Sequence, residues 1–227
     1  MKPSPQPPPE SPAFGFRSEH EHRLPALIAI LFSAISYSLL PKGLIIGPRY
    51  VLPSLELILL IPLAISNPMK INRESRNLRG LSLLLIGLAN LANGTNLALL
   101  CYHLVAGGNT SGRALLYAAA AIWVTNVMVF ALWFWELDRG GPYARCSDFR
   151  RNPDFLFPQM SAPETTEKKW VPTFIDYLYV AFTNALAFSP TDAMPLTPMA
   201  KFLMLIQSMV SVVTVVLVGA RAVNILH

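Results

Sequence analysis

The chain has 227 residues, of which 53% are hydrophobic and 14% charged, with a net charge of +5. Soluble domains run about 45–50% apolar and about 25% charged. The charge deficit, with a mean hydropathy of +0.43, therefore excludes an ordinary soluble enzyme and a disordered chain. It points to an integral membrane protein. Cys101 and Cys146 are the two cysteines, so neither a disulfide framework nor a cysteine metal centre is expected.

In chain order, residues 1–23 are rich in Pro, Ser and charge. Such a segment buries too little apolar surface to offset its ordering entropy, and it reads as a disordered cytoplasmic tail. Residues 24–227 read as a single transmembrane domain. A hydrocarbon core of about 30 Å needs roughly 20 mostly apolar residues per helix. Six candidate spans follow: Leu24–Leu40, Tyr50–Ser66 with Pro53 and Pro62, Leu81–Val105, Leu115–Leu137, Phe174–Phe188 and Met199–Leu226. The fold class is thus an all-α polytopic transmembrane bundle of about six spans. The alternative is five spans plus a re-entrant, pore-type helix at 174–190. A basic cytoplasmic loop is expected at 138–172.

Basic residues concentrate on cytoplasmic loops. With a cytoplasmic N-terminus, fourteen of the eighteen Lys and Arg fall inside, and a re-entrant fifth segment leaves that tally unchanged. In that case Lys201 moves in as Arg221 moves out. A pI near 9.4 thus reports orientation, and nucleic acid is not needed to explain it.

Ionisable and amide side chains at membrane depth are costly and draw attention. Glu56, between Pro53 and Pro62, reads either as a protonatable group or cation ligand in a kinked helix, or as a structural glutamate reaching Arg49. Asn93, Asn96 and His103 share a stripe of the third span at 100° per residue. They would line a polar pathway or simply hydrogen-bond between helices. Glu136, Asp138 and Arg139, before Gly140-Gly141-Pro142, would form a fixed ion-pair network or a cytoplasmic mouth. Asp176 and Arg221 join these as structural candidates. Pro190, Pro195 and Pro198 forbid a continuous helix, which leaves Asp192 to cap or line an opening and to pair with Lys201 across the turn. Asn184, Gln207, Ser211 and Thr214 complete the pathway candidates. The last three follow one another at helical spacing, a pattern that ordinary packing also produces.

From Asp192, Pro195 and Thr197 through Lys201 to Ala220-Arg221 the chain resembles the end of a potassium-channel pore domain. The filter glycines of that family are replaced by Ala187-Phe188-Ser189-Pro190-Thr191. Without them the strained ring of filter carbonyls is not expected, and potassium selectivity is not implied. Glu136 to Pro142, Asp176 to Val180, and Phe182-Thr183-Asn184 running into Ser189 to Asp192 resemble a family of uncharacterised bacterial membrane proteins, similar to the group classed as domain of unknown function 1345. That resemblance implies a multi-pass protein of the bacterial plasma membrane and no known activity.

No Walker-type loop, dinucleotide glycine motif, His-Glu-x-x-His or nucleophile elbow occurs. The expectation is a non-enzyme without metal or cofactor that passes an ion or small solute in a channel-like or transporter-like manner. The alternative is a non-transporting subunit or scaffold whose basic loop binds a partner protein or anionic lipid. Expected partners are membrane lipid, with homo-oligomerisation left open, and no nucleic acid.

Overall fold

The computed structural model describes residues 24–41, 76–106, 111–146, 152–161, 170–187 and 192–226, with isolated positions between 43 and 61. The tail at 1–23, Glu56, most of the second candidate span, the turn at Pro190 and the side chain of Arg221 lie outside the described residues. The chain is mostly helical. Its helices are α1 (Leu24–Leu39), α2 (Arg76–Ala106), α3 (Gly112–Leu137), α4 (Pro142–Cys146), α5 (Pro158–Ser161), α6 (Phe174–Ala187) and α7 (Pro198–Leu226). Three of them, α2, α3 and α7, are long and apolar enough to cross a membrane.

Local chemistry sets the helix ends. Ser111 caps α3 by accepting from the Ala114 N–H at 3.3 Å. Asp176 in the first turn of α6 reaches back to Thr173, its carboxylate accepting from the Thr173 N–H at 2.7 Å and the Thr173 hydroxyl at 2.8 Å. Asp176 therefore holds a helix start. Pro198 opens α7 at the position where a missing N–H costs nothing, and Thr197 accepts from the Ala200 N–H at 3.3 Å.

Helix α3 is the central post. It packs against α1, α2, α6 and α7, and 61% of its apolar window is buried against 22% for α7. Ala29 and Ile30 join Ile86, Ala89 and Phe130 in one core, while Leu40 joins Leu97, Leu100 and Leu115 in a second. Hence α1 and α2 run in the same direction, from the end where α3 finishes to the end where it starts.

The relation of α6 to α7 decides the architecture. Trp135 meets Phe174 at 6.1 Å and Trp123 meets Phe182 at 5.8 Å between ring centroids, so α6 descends antiparallel to α3. Strand β1 (Phe155–Leu156), which follows α3, pairs antiparallel with β2 (Met194–Pro195), which precedes α7. Thus α7 starts at the same end as α6, and the two helices run parallel. Six crossings would require them antiparallel. The reason is length: 14 residues at about 1.5 Å each reach roughly 21 Å.

Candidate functional site

Contacts among Asp138, Arg145, Asp154, Tyr177 and Thr197 fasten one end of the bundle. Asp138 has no solvent exposure and its carboxylate is held from three sides. Oδ1 accepts from the N–H groups of Asp154 at 2.7 Å and Phe155 at 3.4 Å. Oδ2 accepts from the Tyr177 hydroxyl at 2.7 Å. Asp154 continues the chain of contacts, accepting from the Arg139 N–H at 3.0 Å and the Thr197 hydroxyl at 2.6 Å. One carboxylate pair therefore ties α3, β1, α6 and the start of α7 together.

Arg145, 1% exposed, closes the end of α3. It donates to the carbonyls of Trp135 at 2.6 Å and Asp138 at 2.9 Å, groups that a helix C-terminus leaves without partners. Its charge also complements the negative end of the helix dipole, and its guanidinium stacks 5.2 Å over the Tyr177 ring. Arg139, Gly140 and Gly141 all take positive φ, at 52°, 85° and 100°. Glycine adopts that region freely, so Gly-Gly is what lets the chain reverse after α3. Among the ion-pair candidates, Glu136, Asp138 and Arg139 are all buried here. Their organising partners Arg145, Asp154, Tyr177 and Thr197 carry no local sequence signal. Lys201 is exposed, and no ion pair joins it to Asp192.

A second polar assembly lies deeper. Asn126 is at the middle of the apolar window of α3, and Gln207 and Ser208 are at the middle of that of α7. Asn184 sits near the tip of α6. Its amide donates to Gln207 Oε1 at 2.8 Å and to the Met204 carbonyl at 3.0 Å, and its Oδ1 accepts from Ser208 at 3.2 Å. Gln207 donates to the Ala181 carbonyl at 2.7 Å. Asn126 donates to the Gln207 carbonyl at 3.1 Å and to Ser211 at 3.0 Å, while its own buried Oδ1 finds no partner among the described residues. Thr214 stays apart, its hydroxyl bonded back to the Val210 carbonyl at 2.7 Å. Interhelical bonds of this kind contribute about 0.6 kcal/mol each, so the lattice clamps α6 onto α7.

On the other side of α3 the polar groups are open. Ser33, Ser36, Asn93, Asn96 and Thr125 line a small cavity between α1, α2 and α3, walled by Tyr37, Leu40 and Ile122. Asn93 and Asn96 are each 3% exposed. None of the five hydrogen-bonds another described residue through its side chain, whereas Ser38, Thr95 and Thr183 bond back to their own helices. His103, expected on the stripe of Asn93 and Asn96, sits at the far end of α2 and hydrogen-bonds the Gly43 carbonyl at 2.8 Å. Thr125 and Asn126 are adjacent, so the two polar assemblies meet through α3. Ser33, Ser36, Thr125 and Asn126 were not expected as site residues, because single small polar residues in apolar spans are ordinary packing.

The described residues hold no group of three or more His, Cys, Asp and Glu able to hold a metal ion. Compared with protein-family models, curated proteins and solved structures, the chain matches none.

Proposed function

We propose that the chain is a multi-pass membrane protein that passes an ion or small solute, with five crossings and α6 dipping in and out from the basic-loop side. The bacterial plasma membrane with a cytoplasmic N-terminus fits the charge distribution, and fourteen of eighteen basic residues then lie inside. The observation that carries the reading is the coincidence of polar groups at one depth. Ser33, Asn93, Thr125, Asn126 and Gln207 each stand at or near the middle of an apolar helix, and the short helix α6 brings Asn184 to the same level.

A half-helix ending at mid-depth is costly unless something uses its end, since its last carbonyls lack intrahelical partners. Broken helices of this kind place binding groups at the centre of transporters, and their C-terminal ends favour cations. The order of outer helix, descending short helix and parallel inner helix also fits the potassium-pore resemblance of the last part of the chain. The missing filter glycines argue for a different selectivity. Purified protein in liposomes should pass a small ion or solute, and Asn184→Leu should reduce the flux at least several-fold. Absence of flux for cations, anions and protons would refute the proposal and favour a scaffold role for the basic loop.

A further inference from the structure

We infer that the cavity between α1, α2 and α3 is a binding site for a single dehydrated monovalent alkali cation. Its free volume, for the centre of a water-sized body, is ≈ 10 Å³. That is room for about one water-sized occupant, too little for an organic solute.

Chemistry narrows the occupant further. Five neutral side chains supply oxygen: the hydroxyls of Ser33, Ser36 and Thr125 and the amides of Asn93 and Asn96. Among the described residues no carboxylate, imidazole or thiolate lines the space, so from these residues a divalent cation would lack charge compensation and a transition metal its preferred donors. Neutral oxygens replacing a hydration shell are what alkali cations accept. Asn93 and Asn96, each 3% exposed yet without a side-chain hydrogen bond among the described residues, are the second sign. Buried amides are normally paired, and two left open on one cavity mark a place where something else completes them. Because three helices contribute, an ion held here would also lock α1 against α2 and α3 at the middle of the membrane.

The site goes beyond the passage reading, for a cation can bind without being conducted. The test uses the full chain in detergent, titrated with sodium, potassium or lithium chloride against choline chloride at constant ionic strength. A cation binding only the folded state at ten times its Kd raises the folded-to-unfolded ratio about elevenfold. Thermal stability should therefore rise saturably with one alkali cation above the others, and radioactive sodium or rubidium should bind at about one per chain. Ser36→Ala, a small change, should weaken the saturable shift, and Asn93→Ala with Asn96→Ala should abolish it. Equal stability in choline and in every alkali chloride would overturn the inference and leave a buried water as the occupant. Persistence of the shift in the Asn93→Ala, Asn96→Ala protein would overturn it as well. Binding without liposome flux refutes the passage reading alone, and flux without cation-dependent stabilisation refutes this site alone.

Discussion

Replacing Tyr177 by phenylalanine deletes one oxygen and leaves its surroundings in place. The ring keeps its edge contacts with Phe157 at 5.4 Å and Phe155 at 6.4 Å, and the Arg145 guanidinium still lies 5.2 Å above it. What goes is the 2.7 Å bond to the Asp138 carboxylate. A hydrogen bond to a charged group contributes about 1.5–3 kcal/mol, against about 1 for a neutral one. Asp138 keeps its two backbone donors, so the lower half of that range applies, about 1.5–2 kcal/mol. At 1.4 kcal/mol per tenfold, the unfolding equilibrium constant should rise about 10–30-fold. Unfolding in mixed detergent and SDS micelles, followed by tryptophan fluorescence, measures this. Tyr179→Phe is the control, since that residue is exposed, and it should change stability by less than about 0.5 kcal/mol. Equal stability of wild type and Tyr177→Phe would refute the buried bond. So would strict additivity, within about 0.5 kcal/mol, of Tyr177→Phe and Asp138→Asn, because coupled neighbours do not add.

Two further outcomes test the architecture. In a background lacking Cys101 and Cys146, cysteines placed at Ser161 and Leu196 should react with impermeant reagent from the same side, and one at Arg113 from the other. Labelling of Ser161 and Leu196 from opposite sides would mean that α6 crosses after all. Gly141→Ala should lower stability by about 1–3 kcal/mol in the same SDS assay. Position 141 has φ +100° and an added Cβ would stand 2.9 Å from the Glu136 carbonyl oxygen. An unchanged midpoint would show that the turn after α3 relaxes freely.

Helices α2, α3 and α7 were legible because a membrane span writes itself as a long local run of apolar residues. The course of α6 was not, for its composition suits a short crossing and a dip equally well. What sets the direction of α7 relative to α6 is the pairing of Phe155 with Pro195 and the bond from Thr197 to Asp154, contacts that span about forty residues and leave no periodic trace. The Glu136–Pro142 segment stood out by its charge and its Gly-Gly turn, and all three of its charged residues are buried. Arg145 was counted only as loop charge, yet it is almost fully buried on the carbonyls of Trp135 and Asp138. Nothing in the neighbouring residues announces that. On α7, Gln207 and Ser211 could be picked out by their helical spacing. Their shared partner Asn126 could not, since it is a lone amide within an apolar stretch. Asn184 was legible as a residue, but its place against the middle of α7 follows from α6 and α7 running parallel.

The end clasp also imposes an order on biogenesis. Asp138 and Arg145 leave the ribosome early, whereas Thr197, which fixes Asp154 to the start of α7, follows about sixty residues later. At about 5–20 residues per second, that delay is roughly 3–12 s. Throughout it, a carboxylate and a guanidinium destined for full burial remain hydrated at the membrane surface, and α6 has no helix to clamp onto. The last helix therefore serves as the bolt that draws the short one in. Truncation before Pro198 would leave α6 without the helix that Asn184 and Ala181 bond to, however intact the preceding helices are.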